Sequence, residues 1–372
     1  MSSKITEAEN KLDALLPVGR LEQSPPGELM NAAKAWSQVV WDEAEQSGPM
    51  KLSDEEIIQG HMLAQSPVFI CGVHRSGTTL VRDLLDGHPE LVVLPSEGTF
   101  YTNLEFKLNS LPENERSAFL GKEWLRRLVN PINQPPYWLL GRSTNTVSPY
   151  VGFAQYIMAW WNIVDKKNSQ WPHTAIVLAY ASCSGNLKAK LWIDKTPANE
   201  RFLDRIWQEM PNAKIIHVIR EPNAVISSRK TMEPSISMRV ALRDLKMSFR
   251  AAVEQSDLNG PKFMLLRYEE LCEYPQANID RMVSFLNINP SITLNQSTVA
   301  GMPTKANSSF NREAPSGQIL KPDQHSRPEV LIKTEQDLIA AYIGQLAAKL
   351  NYPLAKVGSL KKLFLQLRYR LW

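Results

Sequence analysis

Eight consecutive residues, Gly72-Val-His-Arg-Ser-Gly-Thr-Thr79, concentrate groups that bind anions: two glycines, three hydroxyls, a histidine and an arginine. The apolar run Val68 to Val73 leads into them with strand character. Thr78 to Gly87, with Leu80, Leu84 and Leu85, follows with helical periodicity. Strand, glycine turn and helix in that order form a phosphate cradle. The first N–H groups of a helix have no partner inside it, and the helix dipole favours negative charge there. The glycines allow the backbone to curl around phosphate oxygens. The spacing follows G-x-x-x-x-G-K-[ST] with one departure: Thr78 stands where the lysine belongs. That lysine reaches the β- and γ-phosphates of a nucleoside triphosphate. Its absence argues against an ATPase, a GTPase or an ordinary kinase. Arg75 supplies a cation inside the loop instead, and His74, Ser76, Gly77, Thr78 and Thr79 complete the expected contacts. A glycine turn without a ligand is the plainer alternative, and the strand–turn–helix context speaks against it.

A second anchor lies farther along. Lys214 to Ile219 is an apolar strand ending at Arg220, followed by Glu221-Pro222 and a helix containing Ser228. Ligands of open α/β sheets bind beyond the carboxyl ends of the strands. Arg220 is therefore expected in the same crevice as the glycine loop, with the Ser228 hydroxyl two turns into the helix. Taken alone, the two could be an ordinary helix start. A phosphate loop plus a second basic strand end implies a nucleotide phosphorylated at two separated positions.

Positioning these groups requires a sheet, and the pattern supplies one. Strands are expected at Val68–Val73, Leu91–Leu94, Leu191–Ile193, Lys214–Ile219 and Phe263–Leu266. Helical stretches fall at Ala198–Met210, Ala224–Lys230 and Ser235–Gln255. Short apolar strands alternating with helices predict an α/β fold, a P-loop NTPase-like, mostly parallel sheet flanked by helices. Residues 1–65 read as a helical N-terminal cap: a helix ended by Pro25 and Pro26, a second from Leu29 to Glu45, and a third opened by the capping-box spacing Ser53/Glu56. The α/β domain spans 66–350. Within it, 105–187 is a helical insertion rich in tryptophan (Trp124, Trp138, Trp160, Trp161, Trp171), expected either to wall an acceptor site or to add core. Residues 288–330 read as loop, and Glu329 to Leu350 as a closing helix.

Composition bounds the rest. The 372 residues are 43% hydrophobic and 22% charged, which excludes disordered, collagenous and coiled-coil proteins. A net charge of +4 is too small for a general nucleic-acid binder. Cys71, Cys183 and Cys272 are too few and scattered for a disulfide framework or a zinc site. The polar, acid-containing N-terminus lacks the pattern of a signal peptide, and no apolar run reaches membrane-spanning length. A soluble, reduced, cytoplasmic protein is expected.

Four pieces in order carry a resemblance: Arg75-Ser-Gly-Thr-Thr-Leu80, Leu85-Asp-Gly-His-Pro89, Ile219-Arg220-Glu-Pro with Ser228, and Leu266-Arg267-Tyr268-Glu269. Over about residues 66–290 the chain resembles sulfotransferases that use 3′-phosphoadenosine 5′-phosphosulfate (PAPS), in the bacterial and tyrosylprotein-sulfotransferase-like style. The resemblance implies that the glycine loop holds the 5′-phosphosulfate and that Arg220 and Ser228, eight residues apart, hold the 3′-phosphate. It implies no metal, which fits a transferring sulfuryl group that carries less charge than a phosphoryl group. The acceptor hydroxyl must lose a proton as it attacks, so a base is useful. Glu97, in Pro95-Ser96-Glu97, is the first candidate and His74 the rival. The tyrosylprotein branch carries its base glutamate one residue closer to its loop arginine. The alternative for Glu97 is a solvated loop carboxylate. Lys195, in Asp194-Lys195-Thr196-Pro197, is expected to stabilise charge on the leaving nucleotide, or else to pair with Asp194 at the surface. Tyr268 and Glu269 are expected to buttress the nucleotide. Ser308 and Ser309, with Lys305 and Asn307, lie in a late loop that closes over the nucleotide in this family; the R-K-G motif of the cytosolic small-molecule branch is missing there.

The last residues form a basic amphipathic pattern over 351–372. Leu360, Leu363, Phe364, Leu367 and Leu371 share one face, with Lys361, Lys362, Arg368 and Arg370 around them. This is either a helix packed on the domain or a peripheral contact with an anionic membrane. The function expected is sulfuryl transfer from PAPS to a hydroxyl acceptor, which could be a glycan, a lipid-linked molecule, tyrosine or a small alcohol. The alternatives are a P-loop small-molecule kinase and a non-catalytic, membrane-associated nucleotide binder.

Overall fold

The computed structural model describes residues 3–16, 26–131, 135–144, 148–164, 166, 169–258, 260–304, 316–321 and 331–369. Five parallel strands form the central sheet: β1 (Pro67–Cys71), β2 (Leu91–Val93), β3 (Leu191–Lys195), β4 (Lys214–Ile219) and β5 (Phe263–Arg267), in the order β2-β3-β1-β4-β5. A short antiparallel pair, β6 (Thr298–Val299) with β7 (Met302–Pro303), lies apart from it. Every residue of β1 is buried, because helices cover both sides of this central strand.

The two faces of β1 follow the two-residue period of a strand. Val68 and Ile70 pack with Leu80, Val81, Leu84 and Leu85 of α4 (Thr78–Leu85). Phe69 and Cys71 face the opposite way. Their neighbours come from the N-terminal helices α1 (Ser3–Leu15), α2 (Pro26–Ser47) and α3 (Asp54–Ala64) and from the insertion, α5 (Glu105–Asn109), α6 (Glu113–Val129), α7 (Pro149–Ile163) and α8 (Trp171–Cys183). The cap and the insertion therefore share one core against one face of the sheet. Trp124, Trp138, Trp160 and Trp161 are buried in it and contribute to its packing.

The chain continues through α9 (Leu203–Glu209), α10 (Pro222–Met232), α11 (Met238–Leu258), α12 (Tyr268–Glu273), α13 (Pro275–Leu286), α14 (Lys333–Lys349) and α15 (Ser359–Arg368). A third core joins α10, α11, α14 and α15 around Val73 and Ile219. Some boundaries differ from the pattern. Pro26 opens α2 instead of closing α1, since proline at a first helical position gives up an N–H that is unpaired there anyway. The stretch from Ala198 to Met210 splits into a 3-10 turn, Asn199–Phe202, and α9, because Phe202 (φ −121, ψ 14) leaves the helical region between them. The closing helix starts at Lys333, and the Glu335 side chain accepts from the Ile332 N–H at 3.2 Å. Among the described residues no helix is long and apolar enough to cross a membrane.

Strand order fixes where a ligand can sit. The chain leaves β1 toward β2 on one side and later crosses to β4 on the other, so the connections diverge beyond the carboxyl end of β1. Register places Lys195 beside Ile70, just before the glycine loop, while Arg220 directly follows Ile219 at the end of β4.

Candidate functional site

The loop between β1 and α4 holds a shape that only its residues permit. Gly72 (φ 141) and Gly77 (φ 104) occupy conformations that L side chains rarely adopt. A Cβ on Gly72 would lie 2.2 Å from the Val218 carbonyl oxygen, and one on Gly77 2.2 Å from the Tyr268 ring. Arg75 is itself left-handed at φ 76, and the Ser76 N–H closes the turn onto the Val73 carbonyl at 3.0 Å. The Ser76 hydroxyl is buried with no hydrogen-bond partner. Thr78 is buried at the first turn of α4, while Thr79 and His74 face solvent.

Arg75, Arg220 and Ser228, 153 residues apart at the extremes, meet at one end of this loop. Arg75 Nε donates to Ser228 Oγ at 3.0 Å, and Arg220 Nη1 donates to the Arg75 carbonyl at 3.1 Å. The Arg220 guanidinium lies over the Tyr268 ring, 4.4 Å from its centroid, and is only 8% exposed. Its Nε finds no acceptor. Burial and the neighbouring Arg220 charge both hold the Arg75 pKa below its usual value. The Arg75 and Arg220 charges repel each other, a repulsion that an anion beside them would relieve. Tyr268 thus underlies both the glycine loop and Arg220. Glu269 buttresses from behind, accepting from the Glu221 N–H at 3.0 Å and from the Tyr352 hydroxyl at 2.6 Å. Glu221 in turn caps α10, accepting from the N–H groups of Asn223 and Ala224 at 3.0 and 2.6 Å.

The other half of the site is a charge pair. Lys195 Nζ donates to Glu97 Oε1 at 2.6 Å; the lysine side chain is 3% exposed and the glutamate 38%. Lys195 is therefore neither at the surface nor paired with Asp194. Asp194 is occupied elsewhere: it accepts from the Gly98 N–H at 2.9 Å and from Thr196 Oγ1 at 3.0 Å. Thr196 Oγ1 accepts from the Thr99 N–H at 2.9 Å. The end of β3 thus grips the Glu97 segment by its backbone, and Gly98 has no room for a side chain against the Asp194 carboxylate. Arg127, from α6, closes the clamp by donating to the carbonyls of Glu97 and Gly98 and to Thr99 Oγ1. Beyond the clamp, Phe100–Leu104 is one π-helical turn, a geometry common near functional sites.

Burial pushes the Glu97 carboxyl up, but the Lys195 ammonium reverses this and leaves it below its usual value. Burial depresses Lys195, against the pull of Glu97. Partial desolvation keeps His74 below the usual histidine value although Glu97 pulls it upward. A carboxylate and a neutral imidazole, both able to take a proton, flank the loop beside a buried cation.

A buried polar layer beneath the loop went unseen in the sequence. Glu200 Oε2 accepts from the Gly72 N–H at 3.1 Å, and Ser248 Oγ accepts from the Val73 N–H at 3.2 Å. Ser248 Oγ also lies 2.9 Å from His217 Nε2. Burial raises the Glu200 pKa and pushes that of His217 down to about 3, so the imidazole is neutral. His217, the one polar residue inside the apolar run of β4, was the available signal. Arg127 left none. Ser308 and Ser309, expected over the nucleotide, lie outside the described residues, as do Lys305 and Asn307.

Comparison with known proteins finds relatives of this chain. A curated protein named "Protein-tyrosine sulfotransferase A" from Caenorhabditis elegans is 25% identical over 290 residues. The match takes in 76% of this chain, which spans 65% of that protein's length. The sulfotransferase domain of the Synechococcus PCC 7002 olefin synthase is similar at 20% identity and TM-score 0.43, covering 82% of this chain and 95% of that one. The sulfotransferase domain of the curacin biosynthetic pathway is similar at 19% identity and TM-score 0.45, covering 77% and 98%. The sequence model described as "Sulfotransferase family" matches residues 67–291, the stretch that carries the loop, both arginines and the charge pair, and the chain belongs to that family.

Proposed function

We propose that this chain transfers the sulfuryl group of PAPS to an acceptor hydroxyl, giving a sulfate ester, adenosine 3′,5′-bisphosphate and a proton. The observation that carries the reading is the meeting of Arg75, Arg220 and Ser228 beside a glycine loop with no lysine at Thr78. The buried Nε of Arg220 and hydroxyl of Ser76 are donors still to be satisfied, which fits a nucleotide with phosphates at two positions. His74, Arg75, Ser76, Gly77, Thr78 and Thr79 would hold the 5′ end; Arg220 and Ser228, over Tyr268, would hold the 3′-phosphate. Ser308 and Ser309 belong to the same reading as contacts from the late loop.

In the reaction a bond forms between the acceptor oxygen and sulfur while the bond from sulfur to the 5′-phosphate oxygen breaks. Glu97 takes the acceptor proton. Its depressed pKa keeps it ionised at neutral pH, and its part exposure leaves it open to a hydroxyl. Lys195, buried and charged, stabilises the negative charge that builds on the leaving oxygen. The Asp194, Thr196 and Arg127 clamp holds the two groups in register, so positioning supplies much of the acceleration. No residue set here requires a metal for these steps. The acceptor class is a hydroxyl-bearing molecule; glycan, lipid-linked and phenolic hydroxyls all suit the base, and a tyrosine peptide is the first to try because the curated relative is named for that substrate. Action in the cytoplasm is part of the same reading.

Thermal shift tests the donor class. Stabilisation by adenosine 3′,5′-bisphosphate, with little from adenosine 5′-monophosphate or from ATP with magnesium, is the expected result. Stabilisation by ATP with magnesium alone would favour the kinase. Transfer of labelled sulfate to a tyrosine peptide or a sugar alcohol then separates an enzyme from a silent nucleotide binder.

A further inference from the structure

The helix α15 packs on the domain the wrong way round for a helix that serves only the fold. Its inward side carries Leu365, 2% exposed, and Lys361, whose Nζ pairs with Asp337 Oδ2 of α14 at 2.6 Å. The opposite side carries Leu360, Leu363, Phe364 and Leu367, which fall on one stripe at 3.6 residues per turn. These four are 86%, 49%, 58% and 51% exposed. A helix that stabilises its own domain turns its apolar stripe inward. Here Leu365, Tyr369 at the C-cap and a half-exposed ion pair hold the helix, and the stripe is left for something else. A contiguous apolar patch of this kind marks an interaction surface.

The charges around the stripe select what covers it. No Asp or Glu lies on α15, and among the described residues Lys356, Lys362 and Arg368 supply positive charge there, while Lys361 is already paired with Asp337. Two copies of this helix laid face to face would bring like charges together. An anionic lipid surface instead matches the basic rim, takes the leucines and phenylalanine into its interfacial region, and lets the long basic side chains reach the headgroups. We infer that α15 docks this protein on anionic membrane surfaces, apolar stripe down, with the domain held at the interface by Leu365 and the Lys361–Asp337 pair. The inference stands on the helix alone and does not depend on which reaction the site performs.

Co-sedimentation of the full chain with vesicles tests it. Binding to vesicles of phosphatidylcholine containing phosphatidylglycerol, weak binding to phosphatidylcholine alone, and loss of binding on adding salt are expected. The paired substitution Leu363→Ser with Phe364→Ser removes two exposed apolar side chains and should lower vesicle affinity by about tenfold or more. Lys362→Glu with Arg368→Glu should abolish the preference for anionic vesicles. Both variants should keep the thermal stability and nucleotide response of the parent, because none of the four side chains is in the core. No pelleting of the parent with anionic vesicles, or undiminished pelleting of the Leu363→Ser, Phe364→Ser variant, overturns the inference. So does a concentration-dependent dimer that this variant dissociates, since the stripe would then face a second copy.

Discussion

The two halves of the site are built by different means. The nucleotide half is local: eight consecutive residues make the loop, and one strand end with the following helix adds Arg220 and Ser228. Its donors come from a helix start and from side chains fixed by strand ends, so short motifs describe it. The chemical half is a single pair, Glu97 and Lys195, 98 residues apart and 2.6 Å from each other. Nothing near either residue in the chain holds it in place. The bonds from Gly98 to Asp194, from Thr99 to Thr196 and from Arg127 across the segment do. Gripping a phosphate tolerates a flexible approach, whereas moving a proton needs donor and acceptor at hydrogen-bond distance, about 2.6–3.2 Å, and here long-range contacts set that position.

Mutations should separate the halves. Glu97→Gln should lower turnover by about 10²–10⁴ with nucleotide affinity retained, as for loss of a general base. The pH profile checks the assignment independently. With Glu97 as base, its pKa below the usual 4.5 keeps turnover flat down through pH 5, and activity falls only under 4.5 as the carboxylate protonates. An acid limb lying above pH 4.5 but below 6.5, surviving in Glu97→Gln, would instead make His74 the base, since burial holds its pKa below 6.5. Lys195→Ala should cost about 10²–10³ in turnover, again with the nucleotide still bound. In the parent, activity should fall on the alkaline side at a pH below 10.5, because burial lowers the pKa at which Lys195 loses its charge. If Lys195→Ala weakens the nucleotide as much as the rate, the two halves are not separate.

Arg220→Ala should act on the other half. Removing a charged hydrogen-bond donor costs about 1.5–3 kcal/mol, so affinity for adenosine 3′,5′-bisphosphate should fall by about 10–100-fold in calorimetry. Its preference over adenosine 5′-monophosphate should disappear with it. The smallest effect is expected beneath the loop. Burial raises the Glu200 pKa, so the folded state favours the protonated acid, and ionising it above pH 4.5 weakens the fold as pH rises. Glu200→Gln keeps an acceptor for the Gly72 N–H without the charge. Its melting temperature at pH 8 should equal or exceed that of the parent, with a flatter dependence on pH. A lower value would mean that the carboxylate charge itself supports the loop.

Much of this was legible because the signals were local. The five strands were visible as apolar runs with ends moved by a residue or two, since the parallel sheet buries both faces. The glycine loop was visible because Gly72 and Gly77 serve positive φ and close approach, constraints that leave a residue-level mark. The tryptophans of 105–187 left two readings open, because a large aromatic looks the same in sequence whether it lines a pocket or fills a core. The partner of Lys195 was unreadable between the adjacent Asp194 and the distant Glu97. Sequence neighbours on a strand point to opposite faces, so Asp194 turned to Gly98 while Lys195 turned to the crevice.

From the sequence alone came the α/β class, the phosphate loop, the missing lysine and the basic amphipathic tail. Each of these rests on periodicity or on backbone demands that act within a few residues. The tertiary structure alone decided that Arg75 touches Ser228, that Glu97 meets Lys195, that Glu200 and Ser248 support the loop from below, and that the apolar stripe of α15 faces outward. Those outcomes depend on which surfaces bury each other when distant segments pack, and no local pattern records that choice.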